Sequence, residues 1–180
     1  MDRYGAAAMF DFGGEVTSVV PYGNGHINDT YAVTCSLAGG SVRFILQRLN
    51  PVVFPDRAGL MRNMIAVTGF LRKAVIRDGG DPERECLRLI PLKDGSPYLT
   101  DESGDVWRAT QFIENTDAYH VAESPEMFAS AGEAFGKFMA RLGGFDASSL
   151  FEVIPRFHDT PDRYARFLAS LERNAAGRMD

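Results

Sequence analysis

"PYGNGHINDTY", residues 21 to 31, separates two segments that are rich in strand-forming residues. "EVTSVVPY" precedes this stretch and "DTYAVTCSL" follows it. Asn24-Gly25 alone would be enough for a tight hairpin turn. The additional glycine, histidine and asparagine exceed what a hairpin needs, so we expect a loop that closes over a ligand.

Gly23, Gly25 and Asn28 give this loop the pattern G-x-G-x-x-N. Glycines let the backbone approach phosphate oxygens, and successive N–H groups can point at them. An ordinary turn on Asn24-Gly25 is the alternative, because G-x-G matches alone are weak signals. A dinucleotide-binding fold is excluded, since its glycines open a helix and these open a strand. A Walker loop is excluded because G-K-[ST] is missing.

The order of the predicted elements indicates an α+β chain with a strand-rich part followed by a helical part. A short helix over residues 3–11 is expected to end at Gly13-Gly14. The predicted strands are 15–22, 29–37, 41–50, 86–92, 97–100 and 105–114. The predicted helices are 55–73, one that Ser124 caps and Gly143-Gly144 stops, and one that starts at Thr160 and runs almost to the chain end.

The helix over residues 55–73 has an apolar face. Its spacing of four, three and four is set by Leu60, Met64, Val67 and Leu71, and Asp56 is the expected N-cap. The third strand has an apolar centre, which predicts burial on both of its faces. Trp107 is expected in the core and His120 in solvent.

Composition narrows the possible functions. The 180 residues are 45% apolar and 24% charged, which is typical of a globular protein, and the net charge of −5 argues against nucleic-acid binding. No apolar run reaches the roughly 20 residues that cross a membrane, and no signal peptide is visible. Cys35 and Cys86 lie far apart and are expected to be buried and reduced. These features predict a cytoplasmic protein.

Several stretches together resemble the bacterial N-acetylhexosamine 1-kinases of the aminoglycoside phosphotransferase and choline kinase superfamily. They are "PYGNGHINDTYAV", "RFILQRLN", "FPDRAGLMRNMIAVTGFL", "WRATQFIE" and "FHDTP". The resemblance runs from about residue 9 to residue 170 and matches only the N-terminal half of such an enzyme. It implies a protein-kinase-like small lobe over residues 1–115, an antiparallel sheet plus one helix. The first helices of an incomplete large lobe would follow over residues 116–180.

The resemblance also implies a function. The whole enzyme would transfer phosphate from ATP to the anomeric hydroxyl of N-acetylglucosamine or N-acetylgalactosamine, with Mg²⁺ bridging the phosphates. ATP and GTP are not distinguished. The alternatives are another small-molecule kinase of the superfamily, for choline, homoserine or an aminoglycoside, or a non-catalytic pseudokinase or binding module. The partners of the kinase would be the sugar, the nucleotide and the missing C-terminal lobe of the same protein. Neither a nucleic acid nor a membrane is expected as a partner.

The resemblance implies nucleotide and substrate contacts in the glycine loop, on the third strand, on the following helix, and at and beyond a hinge after the last strand. The glycine loop would lie over the phosphates or near the sugar, Ile45 would press on the adenine, and a hinge would hold the adenine by backbone groups. The nucleotide contacts would be Gly23, Asn24, Gly25, His26, Asn28, Ile45, Gln47, Arg48, Asn63, Gln111, Phe112 and Ile113. The sugar contacts would be His26, Asn115, Thr116 and Tyr119.

One departure from most kinases concerns the lysine of strand three and its glutamate partner on the next helix. Gln47 takes the lysine position and Asn63 the glutamate position, so both charges are lost together. An amide pair would keep a hydrogen bond without a buried charge. A shift of one residue would instead place Arg48 at the phosphates without an acidic partner.

The catalytic residues are missing. The superfamily supplies its base from an H-x-D-x-x-x-x-N loop and a metal ligand from a later aspartate, and neither follows residue 115. His158-Asp159 lacks the spacing and the asparagine. No catalytic or metal-binding residue is therefore expected in these 180 residues, which alone should be inactive.

Overall fold

The computed structural model describes residues 1–119 and 121–179. The expectation for His120 lies outside them. Helices and one antiparallel sheet alternate in the first part and helices alone occupy the second, which confirms the α+β prediction. None of the described helices is long and apolar enough to cross a membrane.

Six strands form the sheet. They are β1 (Glu15–Pro21), β2 (Asp29–Leu37), β3 (Gly40–Arg48), β4 (Leu89–Ile90), β5 (Leu99–Thr100) and β6 (Val106–Gln111). The first three lie side by side in chain order, and β3 then pairs with β6. The other edge of β6 pairs with β4 and β5.

Strand register divides the side chains between two faces of the sheet. Residues directly opposite each other in paired strands point to the same face. One face, which we call the core face, carries Val33, Cys35, Leu46, Trp107 and Ala109, all buried in one cluster. The other, which we call the polar face, carries Thr30, Ile45, Gln47, Arg108 and Thr110.

The N-terminal segment covers the core face. Helix α1 (Arg3–Met9) buries Ala6 and Ala7 in the main cluster, and Phe10 and Phe12 join them. The helix ends earlier than predicted and not at Gly13-Gly14, because Phe10 turns extended and buries its ring. Gly13 instead takes a left-handed φ of 75° in the turn that leads to β1.

Helix α2 (Arg57–Arg77) begins as predicted, since the Asp56 carboxylate accepts a hydrogen bond of 2.7 Å from the N–H of Gly59. The four residues of the predicted apolar face do pack against buried clusters. The prediction missed Met61 and Val75, which are fully buried, and stopped four residues before the observed end of the helix.

Three predicted strands are shorter than expected. The prediction of 86–92 shrinks to β4, and 97–100 to β5, partly because Pro91 and Pro97 lack the N–H that a strand ladder needs. Strand 105–114 ends at Gln111. The expected burial of β3 on both faces is wrong, because Ile45 and Gln47 on the polar face are only half-buried.

The helical part contains α3 (Pro125–Leu142), a short 3₁₀ turn (Ala147–Ser149) and α4 (Thr160–Arg173). Ser124 caps α3 as predicted. Helix α4 begins at Thr160 as predicted, and Asp159 caps it, because its carboxylate accepts from the N–H of Asp162. That helix ends at Arg173, where Asn174 turns left-handed, and not near the chain end.

No residue of α3 or α4 is buried. Large apolar side chains stand exposed along both helices, namely Phe128, Phe135, Phe138, Met139, Tyr164, Phe167 and Leu168. Both helices therefore keep large apolar side chains on their surface.

We expect Leu46→Ala to lower the free energy of unfolding by about 2–5 kcal/mol, because a fully buried side chain of the core face leaves a cavity. Val42→Ala, on the same strand but 41% exposed, should change it by no more than about 0.5 kcal/mol. Urea unfolding of both variants measures this. Equal effects would contradict the assignment of the core face.

Candidate functional site

The glycine loop, residues 22–28, joins β1 to β2 at one end of the sheet. Strand pairing extends to its first residue, where the N–H of Tyr22 donates to the carbonyl of Thr30 over 2.9 Å. Gly23 has a left-handed φ of 79°, which glycine adopts without strain. Residues 23 to 26 are exposed. The loop therefore lies on the surface, and its contact with a ligand stays a prediction.

Asn28 differs from the rest of the loop because it is half-buried and bonded to the protein. Its side-chain oxygen accepts a hydrogen bond of 3.0 Å from the N–H of Asn50, just after β3. The side chain of Asn28 thus fixes the base of the loop to the end of β3.

Gln47 lies at the centre of a hydrogen-bond network on the polar face. Its amide nitrogen donates to the hydroxyl of Thr30 over 3.0 Å. Its amide oxygen accepts from Nε and Nη2 of Arg108, at 3.0 and 2.9 Å. Because Thr30 and Arg108 lie opposite Gln47 on the two flanking strands, strand register alone brings the three together. Ile45 shares their face.

Arg48 points to the opposite face, so of the two residues that competed for the lysine position only Gln47 shares a face with Ile45. The guanidinium of Arg48 bonds Asp29 at 2.6 Å and Asp105 at 3.3 Å, and lies over the ring of Trp107. The hydrogen bond to Asp29 raises the pKa of Arg48. Arg48 therefore has two acidic partners, contrary to the expectation of none, and does not join the other predicted nucleotide contacts.

The predicted amide pair between Gln47 and Asn63 is wrong. Asn63 bonds the backbone of Phe151 in both directions: its amide nitrogen donates to the carbonyl over 2.8 Å, and its oxygen accepts from the N–H over 2.9 Å. Arg108 occupies the space next to Gln47 instead, and it also contacts the sulfur of Met64 on α2. Asn63 thus ties α2 to the helical part of the chain.

The predicted hinge, residues 111–113, begins at the last residue of β6. The side chain of Gln111 is buried, and its amide donates to the carbonyls of Glu83 and Cys86. Phe112 is half-buried, with the guanidinium of Arg43 over its ring at 3.9 Å. The buried Gln111 side chain holds the hinge by bonds within the protein, which leaves the hinge backbone as the group that a ligand can use.

Tyr22 links the glycine loop to the hinge. Its ring lies edge-on to that of Phe112, with 5.4 Å between the ring centroids. Both residues lie beside partners on the polar face, Tyr22 beside Thr30 and Phe112 beside Arg43. The loop and the hinge therefore flank one surface, on which Ile45 lies.

An ion pair and hydrogen bonds hold the residues that directly follow the hinge. Glu114 forms a two-point ion pair with Arg43, and its carbonyl accepts from Arg84 over 2.9 Å. Asn115 follows with a left-handed φ of 55°, and the hydroxyl of Thr116 donates to the carbonyl of Ile113. Tyr119 is 62% exposed. The predicted sugar contacts Asn115, Thr116 and Tyr119 thus lie on the surface beyond the hinge, and His26 is exposed in the loop.

Sequence reasoning missed Tyr22 and Arg108. Arg108 carried a signal, because strand alternation from the buried Trp107 puts it on the same face as Gln47 once β3 and β6 are paired. That pairing joins strands far apart in the chain, so local patterns did not reveal it. Tyr22 lies in the loop, but no local sequence pattern predicts its contact with Phe112.

The described residues contain no group of three or more His, Cys, Asp or Glu side chains that could hold a metal ion.

A cavity of about 530 Å³ lies between α2 and α3, away from the polar face. Its lining includes Leu71, Arg84, Glu85, Lys137, Phe138 and Arg141. None of the predicted site residues lines it.

Comparison with known proteins identifies the fold. No family model matches the chain. The structure is similar to the crystal structure of an aminoglycoside phosphotransferase from Alicyclobacillus acidocaldarius, with a TM-score of 0.54 and 14% identity. The match covers 96% of this chain and 45% of that one, so this chain spans less than half the length of its structural neighbour. The predicted α+β fold, an antiparallel sheet with a few helices that matches a kinase-like small lobe, is confirmed.

We expect the ion pair between Arg43 and Glu114 to make stability depend on pH. The hydrogen bond from Arg43 lowers the pKa of Glu114 in the folded protein. The pair therefore contributes stability above the unfolded-state pKa, about 4.3, and loses that contribution as pH falls through the lower folded-state pKa.

Thermal unfolding between pH 3 and pH 7 tests this pair. Glu114→Gln should flatten the acidic limb of the stability curve relative to the unchanged protein. Glu102→Gln, a carboxylate of an exposed turn, serves as the control and should leave the curve unchanged. An acidic limb that is the same in Glu114→Gln would refute the role of this pair.

Proposed function

We propose that the protein is part of a small-molecule kinase that transfers phosphate from ATP. One observation carries the proposal: a glycine loop with accessible backbone and a hinge flank the same surface of the sheet, joined by Tyr22 and Phe112. The similarity of the fold to an aminoglycoside phosphotransferase supports it. Kinases of this architecture cover the phosphates with such a loop and hold the adenine at such a hinge.

The described residues fit a nucleotide. The glycine loop offers backbone N–H groups to phosphates, since its residues 23 to 26 are exposed. Ile45 offers a half-buried apolar contact on the polar face, which suits the face of an adenine ring. Phe112 and Ile113 offer backbone groups to the edge of the ring.

The described residues do not fit a Mg²⁺ site of their own. Mg²⁺ is usually held by one or two carboxylates together with substrate phosphates, and the described residues contain no group of three or more His, Cys, Asp or Glu side chains that could hold a metal ion by themselves. The resemblance to sugar 1-kinases, whose catalytic loop and later aspartate have no counterpart after residue 115, places the metal ligands and the catalytic aspartate outside residues 1–180. When bound, Mg²⁺ would neutralise phosphate charge.

We propose the anomeric hydroxyl of an N-acetylhexosamine as the phosphate acceptor. The resemblance of the loop, hinge and α2 sequences to N-acetylhexosamine 1-kinases supports this choice. His26, Asn115, Thr116 and Tyr119 offer polar groups at the loop and beyond the hinge, where a sugar would meet the phosphates. Choline, homoserine and aminoglycoside acceptors are the competing substrates, and a cytoplasmic location fits the free, buried cysteines.

We propose that further helices of the same protein cover α3 and α4. Both helices expose aromatic and aliphatic side chains and bury none. The structural neighbour is more than twice as long as the matched part. Residues 1–115 and 116–180 would then belong to two lobes with the nucleotide between them.

Residues 1–180 alone should bind Mg-ATP weakly and show no turnover, because half of the cleft and the catalytic aspartate are absent. A protein extended by the downstream reading frame should phosphorylate N-acetylglucosamine or N-acetylgalactosamine. A coupled ADP-release assay with these sugars, choline, homoserine and an aminoglycoside measures both expectations.

Each outcome of that assay is informative. Turnover of another acceptor would keep the kinase and refute the sugar. Turnover by residues 1–180 alone would refute the incomplete site. Absence of turnover and of ATP binding in the extended protein would refute the kinase.

A further inference from the structure

We propose that Arg108 supplies the positive charge that binds the nucleotide's phosphates from the polar face, in place of the lysine that Gln47 replaces. This inference rests on the proposed nucleotide site and adds a residue to it. It assigns the charge to β6, the strand next to the one that carries it in most kinases.

Arg108 is well placed relative to the other predicted contacts. It lies opposite Gln47, and Thr110 on the same strand lies opposite Ile45. Alternate residues of a strand are about 6.6 Å apart. The backbone position of Arg108 therefore lies one such step along the sheet from the row of Ile45 and Thr110. That step is toward the glycine loop, because Thr30 at the start of β2 bonds the same Gln47.

The guanidinium of Arg108 is fixed in place by neutral groups. Two of its five N–H groups donate to the amide oxygen of Gln47 and one to the sulfur of Met64. Two N–H groups, one on each terminal nitrogen, find no acceptor within the described residues. These two N–H groups can donate to the oxygens of a phosphate.

No carboxylate of the described residues forms an ion pair with Arg108. The two arginines of β3 both have acidic partners: Arg43 pairs with Glu114, and Arg48 with Asp29 and Asp105. A half-buried cation without a counter-ion is costly, since an arginine stays protonated and burial disfavours its charge. Burial accordingly lowers the pKa of Arg108, and no neighbouring charge raises it. A bound phosphate would provide the missing negative charge.

The identity of residue 47 determines whether the charge of Arg108 is available to a ligand. A glutamate at this position would neutralise Arg108, and a lysine would repel it. A glutamine orients the guanidinium through two hydrogen bonds and leaves its charge available. The positive charge that most kinases carry at this position of β3 is thus carried by the opposite residue of β6.

The test compares ATP with adenosine, because only ATP carries the phosphates. Titrations of the 180-residue chain, followed by NMR chemical shifts at millimolar nucleotide with Mg²⁺, give both dissociation constants. We expect ATP to bind more tightly than adenosine in the unchanged protein. Arg108→Met should weaken ATP binding about tenfold or more and leave adenosine binding unchanged.

Two further variants separate charge from folding. Gln47→Glu keeps the shape of the side chain, pairs with Arg108 and should also weaken ATP but not adenosine, so it tests the proposal even if Arg108→Met does not fold. Arg72→Met is the matched control, because its guanidinium bonds the Glu83 carboxylate and neither Gln47 nor Arg108, and ATP affinity should not change.

The outcomes distinguish the inference from the function on which it rests. If the unchanged chain binds neither ATP nor adenosine, the nucleotide site itself is refuted. If it prefers ATP and both Arg108→Met and Gln47→Glu keep that preference, the nucleotide site stands and the role of Arg108 is refuted. A preference that disappears in both variants and persists in Arg72→Met supports it.

Discussion

The pairing of β3 with both β2 and β6 is the constraint on which the rest of this structure depends. It fixes Thr30, Gln47 and Arg108 in one row across three strands. A slip of one residue in either pairing would turn this row toward the core and put Leu46 and Trp107 in its place. The buried core face therefore determines which polar side chains meet on the opposite face, because burying Leu46 and Trp107 leaves only one register.

The same register separates two neighbouring arginines into different roles. Arg48 lies on the core face at the edge of the cluster, where two aspartates neutralise it. Arg108 lies on the polar face, held by amide and thioether groups that do not. Of these two arginines, only Arg108 lacks an acidic partner among the described residues. One link between the two parts of the chain is the pair of hydrogen bonds that Asn63 on α2 forms with the backbone of Phe151.

Local sequence patterns were sufficient for most elements of the fold. The alternation of β2, the cap of α2 and the cap of α3 depend on residues within a few positions, and the structure has them as predicted. Two of the failures share a cause. Asn63 bonds Phe151, 88 residues away, and Gln47 bonds Arg108, 61 residues away, so local patterns could not reveal either partner. The loop and the hinge were predictable as segments, whereas Tyr22 and Arg108 gain their roles only from strand pairing.

The central claim is that the polar face, between the glycine loop and the hinge, is a nucleotide site. Hydrogen–deuterium exchange of the chain with and without saturating Mg-ATP tests it most directly. Amides of residues 22–28 and 112–116 should exchange more slowly with nucleotide, while those of α1, on the core face, should not change. Protection confined to α1, or no protection at the loop and the hinge at saturation, would contradict the claim.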